Sequence, residues 1–176
     1  MSVLIKLSSL PRLKSLTINM HDISIDLASI YKLILKLSIL TYYKLSIDAT
    51  NLFISLPIAT NQHKQQSAIE SLIIDHRCSF DKISAIISFT LQLRRLKLIH
   101  DIYGVKFYDF KTFIRKTNPK LKTLNVIIQC EDMTYLDAYQ WERLHLDYYL
   151  QLDKFFFTYY DLIDNTNHQY QIYSCG

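Results

Sequence analysis

Residues Leu91–Leu98 read LQLRRLKL and contain the pattern Leu93-x-x-Leu96-x-Leu98. Large apolar residues two positions apart share one face of a β-strand, so Leu96 and Leu98 point one way while Lys97 points the other. Leu93 precedes this alternation and is expected to pack into the same core. The segment therefore predicts a short strand with one buried face and one face in contact with water.

The same pattern, with other large apolar residues allowed, occurs six times in the 176 residues. The copies begin at Leu13, Tyr42, Ile69, Leu93, Leu121 and Leu152, in steps of 29, 27, 24, 28 and 31 residues. Leucine-rich repeats have periods of about 20–29 residues, and each repeat buries its apolar face against its neighbours. The spacing therefore predicts stacked repeats that share one continuous core.

Helical spacing appears between several of the predicted strands. Stripes of apolar residues three and four apart follow Asp26, Asp81 and Asp137, and a further stripe contains Phe110, Phe113 and Ile114. Asp26 and Asp137 are typical helix N-caps, and Asn118-Pro119 favours a helix end before it. Residues 49–66 are polar and contain Pro57, so we interpret them as a loop.

Strands that alternate with helices predict an α/β fold with a parallel sheet. The middle residues of the six patterns are Thr17, Ser46, Ile73, Lys97, Asn125 and Phe156. Four of these six are polar or charged, whereas the strands of a doubly wound sheet are buried on both faces. We therefore predict a leucine-rich-repeat horseshoe, a solenoid with a curved parallel β-sheet on the concave face and with helices and loops outside.

The prediction covers the whole chain, residues 1–176, as a single irregular domain of about six repeats. The predicted strands lie near residues 15–18, 44–47, 71–74, 95–98, 123–126 and 154–158. The sequence after the sixth copy contains no obvious element that would cover the last repeat, although terminal repeats of a solenoid need one.

Composition narrows the function classes. Two glycines in the chain are too few for a phosphate-binding loop or a dinucleotide fold, so we expect no cofactor. The three cysteines are widely spaced, no signal peptide is evident, and no apolar run reaches the roughly 18 residues that span a membrane. We therefore expect an intracellular protein, cytoplasmic or nuclear, with free thiols and without a membrane segment.

Candidate catalytic and metal-binding residues are few. Asp75-His76-Arg77-Cys78 brings a thiol near an imidazole, but the alternation of a strand would direct Asp75 away from both. A loop with a buried thiol is the preferred interpretation. The six histidines are dispersed without metal-ligand spacing. We expect neither a catalytic nor a metal site, and hence no enzyme.

Several segments resemble the leucine-rich-repeat region of F-box proteins, most closely the expanded F-box family of bdelloid rotifers. They are LPRLKSLTI (10–18), IYKLILKL (30–37), SLPIATNQ (55–62), IESLIIDH (69–76), LQLRRLKL (91–98) and DMTYLDAYQWERL (132–144). The resemblance implies a protein that recognises the substrate of a cullin-type ubiquitin ligase. The adaptor-binding F-box itself is not found before the first repeat. A link to the ligase is therefore expected only if an F-box lies elsewhere in the full gene product.

The outward residues of the predicted strands suggest where a protein partner binds. They include Ile73, Arg95, Lys97, Asn125 and Phe156, which together offer apolar, cationic, amide and aromatic groups. Phe156 has a second interpretation, in which a further repeat or the C-terminal tail covers it. The sequence does not indicate the identity of the partner.

A nucleic-acid interface is the alternative hypothesis. Its candidate residues are Lys14, Lys44, Arg95, Lys97 and Lys122, together with Tyr42 and Tyr43. The formal net charge is +4 and the basic residues are scattered, whereas nucleic-acid binding favours a dense basic stripe. The sequence therefore favours a protein partner.

Overall fold

A computed structural model describes residues 12–21, 27–47, 67–76, 78–100, 106–117, 119–130, 132–148, 152–161 and 168–175. The strands are β1 (Ser15–Met20), β2 (Tyr42–Ile47), β3 (Ser71–Asp75), β4 (Arg95–His100), β5 (Thr123–Cys130), β6 (Lys154–Asp161) and β7 (His168–Cys175). The helices are α1 (Leu27–Leu35), α2 (Phe80–Ser88), α3 (Phe107–Arg115) and α4 (Ala138–Tyr148), and a 3₁₀ helix covers Met133–Leu136. The predicted strand positions fall within β1 to β6. Asp26 and the loop predicted at 49–66 lie outside the described residues.

The seven strands form one sheet in chain order, from β1 to β7. Strands β1 to β6 are parallel to one another, which confirms the prediction of an α/β fold with a parallel sheet. Each parallel connection moves the chain by one strand in the same direction. A doubly wound sheet reverses this direction at a switch point. The order of the described strands therefore argues against the doubly wound alternative.

Strand β7 is antiparallel to β6 and pairs with it along its full length, from Lys154 opposite Cys175 to Asp161 opposite His168. The expectation that no element covers the last repeat strand was therefore wrong. An antiparallel strand needs a turn rather than a helical crossover, so β7 does not carry the repeat pattern by which the other strands were found.

Two inward-facing ladders run across the parallel strands. The first contains Leu16, Tyr43, Leu72, Leu96, Leu124 and Phe155, and the second contains Ile18, Leu45, Ile74, Leu98, Val126 and Phe157. On β2 to β6 these residues are at most 3% exposed. They form one apolar cluster with the buried faces of the helices. The helices therefore pack against one face of the sheet.

The register corrects the second repeat by two residues. Leu16 pairs with Tyr43 and Ile18 pairs with Leu45, so the repeat begins at Leu40 rather than at Tyr42. Leu40 is 0% exposed, as its place in the pattern requires. The sequence was ambiguous here because apolar residues satisfy the pattern in both registers. Lys44, not Ser46, is consequently the middle residue of this strand.

The core near β6 is aromatic. Phe110 on α3 is completely buried, and its ring centroid lies 5.7 Å from those of Phe80 and Phe157 and 5.8 Å from that of Trp141. Trp141 donates a hydrogen bond from Nε1 to the backbone carbonyl of Tyr135 at 2.6 Å. Phe110 thus joins three successive helices to β6.

Aspartate carboxylates accept hydrogen bonds from the N-terminal ends of two helices, α3 and α4. Asp137 accepts a hydrogen bond from the Tyr139 backbone N–H at 2.9 Å, which confirms it as the cap of α4. Asp132 accepts from the backbone N–H of Phe107, the first residue of α3, at 2.8 Å, and from Thr134 N–H at 3.0 Å. Partial burial acts to raise the pKa of Asp132, but hydrogen bonds from Thr134 and Phe107 bring it below the ordinary 3.8. The ionised carboxylate therefore joins two neighbouring repeats.

We predict that Asp132→Ala lowers the free energy of unfolding by about 1 kcal/mol, the typical cost of losing a helix cap. Because the folded pKa is depressed, the stabilisation is present above the ordinary pKa and is lost as the pH falls through the folded pKa. Urea unfolding of both proteins should show a constant difference from neutral pH to about pH 5 and a smaller one in stronger acid. A difference that grows on acidification would contradict this role.

Candidate functional site

The face of the sheet opposite the helices, here called the open face, carries the outward residues of β1 to β6. Residues that pair across neighbouring strands form rows that run across the sheet. The first row contains Ser15, Tyr42, Ser71, Arg95, Thr123 and Lys154, and the middle row contains Thr17, Lys44, Ile73, Lys97, Asn125 and Phe156. A third row contains Asn19, Ser46 and Asp75 on β1 to β3, and Ile99, Ile127 and Thr158 on β4 to β6. All of these side chains except Ser71 are at least partly exposed.

All five predicted partner-binding residues lie on the open face. Ile73, Lys97, Asn125 and Phe156 occupy consecutive strands of the middle row, and Arg95 lies two residues before Lys97 on β4. Neighbouring strands are about 4.8 Å apart, so the four residues of the middle row extend over about 14 Å. Phe156 is partly exposed although β7 pairs with β6 beside it.

Four further residues of this face were not in the predicted set. Lys44 pairs directly with Ile73 in the middle row, and it was missed because the second repeat was placed two residues too late. Ile99 and Ile127 pair with each other beyond the end of the repeat pattern. Lys154 opens β6 in the first row. The alternation that continues past the end of the repeat pattern in β4 and β5 is the signal that could have located the two isoleucines.

The open face is cationic. Lys44, Arg95, Lys97 and Lys154 point outward, and none of them makes an ion pair within the part of the chain that the structure describes. Asp75 is the single carboxylate among the outward residues of β1 to β6, and it accepts a hydrogen bond from Ser46 Oγ at 2.9 Å. Three of the four cationic charges on this face are therefore not balanced by a carboxylate of the same face.

The residues of the nucleic-acid hypothesis are divided between the two faces. Tyr42, Lys44, Arg95 and Lys97 lie on the open face, with exposed Lys14 and Lys122 just before β1 and β5. Tyr43, in contrast, faces the core and is 1% exposed, and its hydroxyl has no hydrogen-bond partner among the residues that the structure describes. Tyr43 is therefore not part of this face, because the register turns it inward.

The surroundings of Cys78 disfavour the thiolate that a nucleophile with His76 as its base would need. A hydrogen bond of 2.6 Å joins His76 Nε2 to the buried Tyr31 hydroxyl. Burial raises the pKa of the Cys78 thiol to about 12, a rise that Lys82 opposes, so the thiol is protonated at neutral pH. Asp75 faces the opposite side of the sheet. Among the described residues, no three His, Cys, Asp or Glu side chains are placed to hold a metal ion.

Comparison with known proteins gives no match to a family model, a curated protein or a solved structure. Within the described ranges, no helix has both the length and the apolar character needed to cross a membrane. Function is therefore inferred from the geometry and charge of the open face.

Proposed function

We propose that the chain is a non-enzymatic protein-interaction module whose partner binds across the open face. The middle row carries this proposal, because Lys44, Ile73, Lys97, Asn125 and Phe156 lie side by side on five adjacent strands. They present charged, aliphatic, amide and aromatic groups in one line. Such a line contacts an extended polypeptide surface at many points, whereas catalysis needs groups that converge on one reacting atom.

The same proposal takes the architecture to be a leucine-rich-repeat horseshoe. The repeat spacing, the parallel strands in chain order and the helices packed on one face all support it. Strands are about 4.8 Å apart, whereas packed helices need about 8–10 Å between their axes. A layer of helices on one side therefore bends a growing sheet so that the open face becomes concave.

The resemblance to F-box proteins suggests a narrower role, recognition of the substrate of a cullin-type ubiquitin ligase in the cytoplasm or nucleus. In this role the open face would hold the target protein. Connection to the ligase would require an F-box elsewhere in the full gene product.

The proposal predicts that Arg95→Ala, Lys97→Ala and Phe156→Ala together reduce partner capture at least tenfold, since these side chains share the open face. The measurement is an affinity pull-down from a lysate with quantitative mass spectrometry. The matched control replaces two exposed lysines and an exposed aromatic on the helical side, Lys32, Lys36 and Tyr108, with alanine. If both triple variants capture the same proteins in the same amounts as the unchanged chain, the assignment of this face is wrong.

A nucleic-acid partner is the second candidate, favoured by the four cations of the open face, none of which makes an ion pair with another described residue. It predicts a gel shift that weakens steeply as salt rises, because phosphate contacts release counterions. The absence of a shift at low salt would eliminate it.

A further inference from the structure

We infer that the open face recognises an acidic amphipathic polypeptide segment, one that carries carboxylates along one side and apolar side chains along the other. This inference rests on the proposed function, since it names the chemistry of the partner for the same face.

The positions of the cations indicate where the carboxylates of the partner would lie. Lys44 and Lys97 are two strands apart in the middle row, and Arg95 and Lys154 are two strands apart in the first row. Each pair is thus separated by about 10 Å across the sheet. All four belong to the halves of the strands nearer their N-terminal ends, and none has an ion-pair partner among the described residues. A segment that crosses the strands would meet these charges along one edge.

Apolar side chains occupy the third row on β4 and β5, whereas on β1 to β3 this row is polar and contains Asp75. Ile99 and Ile127 are direct neighbours in the third row, and both are partly exposed. Ile73 and Phe156 lie in the middle row, where Ile73 stands between Lys44 and Lys97 and Phe156 stands beside Asn125. On β4 the face therefore changes from cationic to apolar along the strand, from Arg95 and Lys97 to Ile99, and on β6 it changes from Lys154 to Phe156. A partner segment contacts both the cations and the apolar residues when its acidic side chains lie on one side and its apolar side chains lie on the other.

A polypeptide fits this division better than a nucleic acid does. A sugar-phosphate backbone could pair with the cations, but it offers no aliphatic side chains to bury against Ile99 and Ile127. Single-stranded nucleic acid binds by stacking its bases on exposed aromatic side chains, and one of the two candidate tyrosines, Tyr43, is buried. The aliphatic edge therefore decides between the two classes of partner.

The test is selection of binding peptides from a random 15-residue display library on the immobilised full chain. Three proteins are compared under the same conditions, and each is checked for its unfolding transition. They are the unchanged chain, the open-face variant Arg95→Glu/Lys97→Glu, and the control Lys32→Glu/Lys36→Glu, which makes the same change of net charge on the helical side. A fourth protein, Ile99→Ser/Ile127→Ser, tests the apolar edge.

We expect the unchanged chain to select peptides in which Asp or Glu alternates with large apolar residues. Their affinity should fall at least tenfold for the open-face variant, because charge reversal replaces attraction with repulsion, and should persist for the control. A second outcome is that the selected peptides show no acidic enrichment but lose affinity for Ile99→Ser/Ile127→Ser. This outcome would overturn the inference but leave the proposed function standing. Failure to select peptides, or peptides whose affinity none of the variants changes, would overturn both.

Discussion

Replacing Phe110 with alanine should lower the free energy of unfolding by about 3–5 kcal/mol, the cost of removing a fully buried phenylalanine ring. Phe110 is 0% exposed and contacts aromatic rings from α2, α4 and β6. Its loss leaves a cavity where the helices meet the sheet, and rigid rings close such a cavity poorly. The stability of a single domain is about 5–15 kcal/mol, so the loss is a large part of the total.

Tyr108 provides the matched control on the same helix. It is 72% exposed, so Tyr108→Ala should change the free energy of unfolding by less than about 0.5 kcal/mol. Urea denaturation followed by circular dichroism measures both variants. Equal effects of the two substitutions would show that α3 does not pack with Phe110 inward.

The second large effect concerns two adjacent residues of β3. Ile74→Asp should cost at least about 4 kcal/mol, because it places a carboxylate in the apolar cluster beneath the helices, where Ile74 is 1% exposed. Ile73→Asp should change stability by less than about 1 kcal/mol, since the carboxylate would stand on the open face between Lys44 and Lys97. The same substitution, isoleucine to aspartate, should therefore have very different effects on stability at two neighbouring positions.

Thermal unfolding of the two aspartate variants provides the comparison. The expected result is a cooperative transition for Ile73→Asp near that of the unchanged chain, and a strongly lowered or absent transition for Ile74→Asp. Comparable destabilisation by both would mean that a further layer buries the outward side of β3.

The strands, and the placement of the five predicted binding residues on one face of the sheet, could be read from the sequence because the other face is buried. Burial on one side makes apolar and polar residues alternate along a strand with a period of two. Leu96, Lys97 and Leu98 show this alternation without ambiguity. Once the six patterns are aligned, residues at the middle position fall on neighbouring strands and must share the open face.

Other features could not be predicted, for physical reasons that differ from one element to the next. Tyr42 and Tyr43 are chemically identical, so the register of β2 was decided by packing against β1 and β3 rather than by residue type. Strand β7 forms by backbone pairing with β6 and needs no repeat pattern. Ile99 and Ile127 lie on the candidate site because β4 and β5 extend past the end of the repeat pattern.

The most direct measurement is thiol labelling along β4, with one cysteine introduced at a time from position 95 to position 99. The background replaces Cys130 and Cys175 with serine, and the remaining Cys78 is buried, with its pKa raised to about 12 by that burial. A sheet with one open face predicts rapid labelling of Arg95→Cys, Lys97→Cys and Ile99→Cys in the folded protein. Labelling of Leu96→Cys and Leu98→Cys should be slower by on the order of 100-fold, because it waits for local opening of the structure. Slow labelling at all five positions would contradict the open face and the partner binding assigned to it.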